Sequence, residues 1–188
     1  TLNILVDRSS PVQIGTDTDW AFIATSNSAG YAIKTDGTLW SWGSNGTGEL
    51  GHGDTTARSS PVQIGTDTDW AFIGPGNYAA YGIKTNGELY SWGGGANGAL
   101  GHNNATNYQS PVQVGTLTNW STGEGATEFA SCIKTDGTLW SWGKNTNGEL
   151  GQNDTINKSS PVQIGSDTNW FKVGLGLAHS HALAGVTS

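Results

Sequence analysis

The chain has 188 residues, among them 29 glycines and 9 tryptophans, and it carries a formal net charge of −7. No run of lysine or arginine occurs, which argues against binding to nucleic acid or to an anionic membrane, since both depend on basic contacts to phosphate. The single cysteine, Cys132, excludes an intrachain disulfide framework and a thiolate zinc site.

The chain is organised as a repeat of about fifty residues, the length of one propeller blade. The string S-P-V-Q-[IV]-G occurs four times, and a tryptophan follows nine residues after each proline, at Trp20, Trp70, Trp120 and Trp170. The string K-T-[DN]-G-x-L-[WY]-S-W-G occurs three times, beginning at Lys34, Lys84 and Lys134. A period of this length, rich in strand formers and turn glycines, is typical of modules that bury their faces against one another.

Each repeat predicts four strands, which we name a to d. In the first repeat, strand a begins at Trp20, strand b surrounds Tyr31, strand c covers 38–42 and strand d covers 60–64. Asp-Gly or Asn-Gly joins b to c and indicates a tight hairpin. A longer excursion joins c to d, and a short polar turn leads from d to the next strand a.

Strand c shows no solvent-facing side. Trp40 and Trp42 share one face, while Leu39 and Ser41 share the other. This pattern predicts a sheet that neighbouring sheets cover on both sides, as in a β-propeller blade. We therefore expect the tryptophans that begin the repeats to pack between blades and not to serve as ligand platforms.

The predicted fold is all-β, a β-propeller of four-stranded antiparallel blades with about four blades in one domain over 1–188. The repeats cover 20–64, 70–114 and 120–164, with half-blades at 1–14 (strands c and d) and 170–188 (strands a and b). Pairing complementary half-blades would remove two exposed sheet edges. Pairing across two chains predicts an eight-blade homodimeric ring; a four-blade ring within one chain and a fragment of a longer protein remain alternatives.

The string Y-x-I-K-T-D-G-x-L-W-S-W-G-x-N-x-x-G-E-L-G resembles the repeat of the regulator of chromosome condensation family, and the likeness covers nearly the whole chain. The resemblance implies β-propellers of four-stranded blades, mostly interaction modules; the founding member is a guanine nucleotide exchange factor. Members usually carry G-x-x-H-S before strand b, and here only Gly176 to Ser180 keep it. Exchange-factor activity is therefore the least favoured function.

Candidate catalytic and metal-binding groups are few. His52 and His102 share one repeat position, which indicates a turn or surface role, and His179 with His181 lacks an evident third metal ligand. The Asp-Thr-Asp turns are better explained by side-chain turn hydrogen bonds than by calcium binding. The sequence thus predicts no enzyme activity, no cofactor and no metal.

Variation among the copies is concentrated before strand b. Residues 9–23 and 59–73 are identical, whereas the segment before strand b differs in every copy. Such turns on one rim of a propeller present variable side chains on a rigid frame. We predict a non-enzymatic module that recognises a protein partner, with a carbohydrate-binding propeller as the alternative. The predicted recognition residues are Asn77, Tyr78, Glu124, Glu128, Phe129 and His179.

Overall fold

The computed structural model describes residues 13–185, which form three four-stranded antiparallel sheets and one two-stranded sheet. The predicted fold class is confirmed, because each complete sheet holds strands a to d in chain order. Blade 1 comprises β1 (Trp20–Thr25), β2 (Ala29–Lys34), β3 (Leu39–Gly43) and β4 (Arg58–Gln63). Within these residues no helix is long and apolar enough to cross a membrane.

The other blades repeat this arrangement. Blade 2 comprises β5 (Trp70–Pro75), β6 (Ala79–Lys84), β7 (Leu89–Gly93) and β8 (Tyr108–Gln113). Blade 3 comprises β9 (Trp120–Gly125), β10 (Phe129–Lys134), β11 (Leu139–Gly143) and β12 (Lys158–Gln163). The last sheet pairs β13 (Trp170–Leu175) with β14 (Ser180–Ala184).

The first strand of each sheet lies innermost, since β1 contacts β5, β5 contacts β9 and β9 contacts β13. The chain alternates direction, so the a–b turns and c–d excursions share one end, which we call the upper face. The b–c hairpins and d–a turns share the opposite end, the lower face. Each lower-face hairpin tightens at a glycine: Gly37 has φ +79°, and a Cβ there would collide with the carbonyl of Thr68.

The core lies between neighbouring blades. One apolar cluster joins residues of blades 1 and 2, including Tyr31, Leu50, Trp70 and Trp92, and a second joins blades 2 and 3 in the same manner. The expected packing of the tryptophans between blades is thus confirmed for Trp70 and, in the second cluster, for its equivalent in blade 3. Cys132 is fully buried in that second cluster, and burial raises the pKa of its thiol.

Hydrogen bonds reinforce this packing at repeated positions. The indole N–H of Trp92 donates to the Glu49 carbonyl of blade 1 at 2.8 Å, and Trp142 donates to the Ala99 carbonyl of blade 2 at 2.8 Å. Each bond satisfies a fully buried polar group, which would otherwise carry a desolvation cost. The inter-blade junction is therefore set by both shape and polar pairing.

The two ends of the repeat array differ in what the structure describes. The predicted C-terminal half-blade appears as the β13–β14 sheet. The predicted N-terminal half-blade at 1–14 falls almost entirely outside the described residues. The pairing of the two half-blades, and with it the eight-blade ring, stays a prediction.

Candidate recognition surface

The four a–b turns on the upper face share one backbone shape. In each, the N–H of the first residue donates to the carbonyl of the fourth, over 2.9 Å in 26–29, 2.7 Å in 76–79, 2.8 Å in 126–129 and 2.9 Å in 176–179. The two central residues form the tip, and all eight tip residues are exposed or half-buried. The fold thus displays four different dipeptides on a common frame.

These turns surround a depression of about 360 Å³ on the upper face, and residues from all four turns line it. Asn77 Nδ2 donates to Thr127 Oγ1 at 2.7 Å, which ties the second turn to the third. The Glu124 carboxylate accepts a hydrogen bond from the Leu175 N–H at 3.1 Å, which ties the third inner strand to the fourth. The lining is therefore held in place before any ligand arrives.

The close approach of the second and third turns explains why residue 76 is a glycine. A Cβ on Gly76 would collide with the Ala126 carbonyl, which lies beside the second turn. The same carbonyl accepts the Asn77 N–H at 3.2 Å. Only glycine at 76 lets the second and third turns meet in this way.

Tyr78 combines an exposed ring with a fixed backbone. Its side chain is 52% exposed, while its carbonyl accepts the Gly94 N–H at 2.7 Å and the Thr47 hydroxyl at 2.9 Å. Thr47 belongs to the c–d excursion of the preceding blade. Glu128, at the tip of the third turn, pairs with Lys144 Nζ at 3.4 Å. Both residues lie on the upper face, and their role in recognition stays a prediction.

The expectation for Phe129 is wrong. Its side chain is 1% exposed and packs with Ala126, Leu150 and the partly buried Leu175. In the first three turns the fourth residue is already the first residue of strand b, so its side chain points between the blades. The equivalent residues Ala29 and Ala79 are buried as well.

The last turn exposes the predicted recognition residue His179, and it also exposes Leu177, which the sequence analysis did not single out. His179, at the position equivalent to Phe129, is exposed and meets His181 edge to face with ring centroids 5.0 Å apart. Leu177 at the tip is 74% exposed. The tip residues Asn27 and Thr127 were also missed; the signal that identifies them is the shared four-residue turn, and not sequence variation alone.

The other histidines are parts of the framework. His52 Nε2 lies 3.0 Å from Ser41 Oγ, and His102 Nε2 lies 2.9 Å from Ser91 Oγ. Burial lowers the pKa of both imidazoles. Across residues 13–185 no group of three or more histidine, cysteine, aspartate or glutamate side chains is arranged to hold a metal ion.

The acidic d–a turns on the lower face also differ from expectation. Asp17 and Asp19 contact Lys34 Nζ at 2.8 and 3.2 Å, and Asp67 and Asp69 contact Lys84 in the same way. These aspartates therefore act as partners of a lysine and not, as predicted, as turn-closing hydrogen-bond acceptors. The reason is tertiary: the end of strand b lies beside the d–a turn, which the local sequence does not show.

Comparison with known sequences agrees with the geometry. The profile of the Regulator of chromosome condensation (RCC1) repeat matches residues 36–73, 86–125 and 136–183, well over half of the chain. The chain belongs to the RCC1 repeat family. The resemblance inferred from the repeat string is thereby confirmed, although no curated protein sequence matches the RCC1-repeat chain.

Solved structures share the fold at low sequence identity. Prp20p from Saccharomyces cerevisiae, in a study of its binding to Gsp1p and histones, aligns with TM-score 0.79 at 20% identity over 87% of this chain and 43% of its own. Human WBSCR16 aligns with TM-score 0.78 at 18% identity over 91% of this chain and 46% of its own. The RCC1-repeat chain thus spans less than half the length of these structures.

Proposed function

We propose that the chain is a non-enzymatic binding module that recognises a protein partner through the upper-face turns. The observation that carries this proposal is the contrast within those turns: one repeated, hydrogen-bonded frame holds different tip residues in each copy. A rigid scaffold with variable tips suits recognition, because little conformational entropy is lost on binding.

Tyr78 is the proposed centre of this surface. A tyrosine ring offers a large contact area with few rotatable bonds, and here its backbone is already fixed by two hydrogen bonds. Leu177, which lines the depression and is 74% exposed, adds apolar area. The net charge of −7 favours a basic partner by long-range attraction.

Site-specific photo-crosslinking tests the proposal. A benzophenone amino acid replaces Tyr78 in one variant and Thr66, an exposed lower-face residue, in a matched control. We expect a discrete protein adduct from extracts of the source cells at position 78 and none at position 66. Equal capture at both positions, or capture at 66 alone, would contradict the proposal.

The carbohydrate alternative has weaker support. Four of the tryptophans, Trp70, Trp92, Trp120 and Trp142, are each no more than 4% exposed and so offer little ring surface to a sugar. The Asn77 amide is already bonded to Thr127. A glycan array probed with the protein distinguishes the two functions, and a Tyr78-dependent signal on it would favour the alternative.

We also propose that two copies associate through the open side of blade 1. Ile23 is 63% exposed there, whereas the equivalent Ile73 is 1% exposed because it packs in the core between blades 1 and 2. Ile14 is 50% exposed against 2% for Ile64. Native mass spectrometry tests this: a dimer that the Ile23→Asp variant abolishes supports it, and a mass of 19.6 kDa at micromolar concentration overturns it.

A further inference from the structure

Grooves on the lower face occur at equivalent positions beside neighbouring blades. The groove between blades 1 and 2, which we call groove A, is lined by residues that include Ile64, Asp67, Trp70, Tyr90 and Pro111. The groove between blades 2 and 3, which we call groove B, is lined at the same positions by Val114, Leu117, Trp120, Trp140 and Pro161. Their volumes are about 340 and 350 Å³. The difference that matters is Asp67 in groove A, which is replaced by Leu117 in groove B.

A lysine ammonium lies against the aromatic walls of each groove. In groove A, Lys84 Nζ is 5.3 Å from the Trp70 ring and 5.1 Å from the Tyr90 ring. Asp67 and Asp69 hold the same ammonium at 2.7 and 3.1 Å. Groove A therefore contains its own counter-ion.

The equivalent lysine beside groove B, which lies against two of its lining tryptophans, has no such counter-ion. Lys134 Nζ is 4.8 Å from the Trp120 ring and 3.7 Å from the Trp140 ring, and the residue is 6% exposed. Leu117 and Asn119 replace the two aspartates, and among residues 13–185 no carboxylate lies within 4 Å of this ammonium. Cation–π contacts offset only part of the cost of an unpaired buried charge.

Groove B can also accommodate an apolar group of a ligand. Leu117 is 47% exposed, and Val114, Trp120, Trp140 and Pro161 make the remaining wall largely apolar. A space of this size lies near the lower end of the range for small-molecule sites. A ligand with a carboxylate and a compact apolar group would satisfy both halves of the groove.

We propose that groove B binds a small apolar carboxylic acid, whose carboxylate takes the place at Lys134 that Asp67 and Asp69 take at Lys84. The internal repeat provides the template for the ion pair, and Leu117 provides apolar contact in place of Asp67. The site lies on the lower face and is independent of the recognition surface on the upper face.

The probe is phenylacetate, compared with the neutral phenylacetamide and with acetate. NMR titration of the protein would follow the indole signals of Trp120 and Trp140 and the side chain of Lys134. We expect phenylacetate to shift these signals and to bind about tenfold or more tightly than phenylacetamide, because a charge-assisted hydrogen bond is lost in the amide. We expect acetate to bind more weakly than phenylacetate, because it leaves the apolar wall uncovered.

Two reciprocal variants use the repeat as its own control. Leu117→Asp with Asn119→Asp supplies an internal counter-ion to Lys134, so phenylacetate binding at groove B should be lost while the lysine remains. Asp67→Leu with Asp69→Asn removes the counter-ion of Lys84, so groove A should gain phenylacetate binding, seen at the Trp70 indole. Unchanged binding in both variants would overturn the proposal.

A third experiment distinguishes two sources of the carboxylate ligand, a free small acid and an acidic side chain of a polypeptide. The blocked tetrapeptide Gly-Asp-Phe-Gly carries the same carboxylate and phenyl groups on a peptide backbone. We expect it to bind no more tightly than phenylacetate. Tenfold tighter binding of the peptide, or equal affinity for phenylacetate and phenylacetamide, would refute a small-acid site.

Discussion

Blades 2 and 3 share nearly all of their framework, yet their lysines lie in opposite electrostatic settings. Lys84 is paired with two aspartates, whereas Lys134 rests on two tryptophans without a carboxylate partner among the described residues. Burial lowers the pKa of Lys84, but its hydrogen bonds to Asp67 and Asp69 outweigh this and raise it overall. Burial lowers the pKa of Lys134, and Asp136 offsets this only in part. Two substitutions in one turn thus change the electrostatics of a groove without changing the fold.

The largest expected effect tests whether the two blades truly share a framework. Trp92→Ala and Trp142→Ala each remove a fully buried ring and its inter-blade hydrogen bond. Each should lower the free energy of unfolding by about 3–5 kcal/mol. Urea denaturation measures both values. Losses that differ by more than about 2 kcal/mol would show that the two junctions are not equivalent.

Transplanting the blade 3 turn into blade 2 should have a smaller effect. Asp67→Leu with Asp69→Asn removes both partners of Lys84, and we expect a loss of about 1 kcal/mol because the aspartates are roughly half exposed. The loss should shrink at high salt. Asp167→Leu is the matched control, since the residue equivalent to the lysine is Ala184. An equal loss in the control would rule out ion pairing as the cause.

The reverse transplant sharpens the comparison from the other side. Leu117→Asp with Asn119→Asp should raise the free energy of unfolding by about 0.5–1 kcal/mol, because it neutralises a buried ammonium at little apolar cost. Thermal unfolding gives the sign of the change. A loss of stability would indicate that the blade 3 turn does not adopt the geometry of blades 1 and 2.

The smallest expected effect concerns the pKa values of the lysine side chains. NMR of the lysine side chains should place the pKa of Lys134 below its ordinary value and the pKa values of Lys34 and Lys84 above it. A pKa that is lower in the folded state means that the unfolded chain binds the proton more tightly. The cost of burying the charged Lys134 should therefore shrink, and the free energy of unfolding should rise, as the pH increases from its folded pKa to its ordinary value. Lys134→Met should abolish this slope.

The recognition turns show where prediction from the sequence stopped. Variation among the copies directed attention to Asn77, Tyr78, Glu124 and Glu128, which lie on or beside one surface, and their role in recognition stays a prediction. It could not separate tip positions from the first residue of strand b, so Phe129 was misplaced. In the first three turns the fourth residue is buried and the two central residues are not, and only the backbone hydrogen bond identifies these positions.

The amino-acid sequence by itself determined the repeat, the strand order and the blade architecture, because period, strand formers and turn glycines act locally and recur at fixed spacing. The tertiary structure alone decided which charged groups meet. Lys84 and Asp67 are distant along the chain and come together only when the end of strand b packs beside the preceding d–a turn. Electrostatic partners depend on distance in space, so the uncompensated Lys134 became visible only once the blades were assembled.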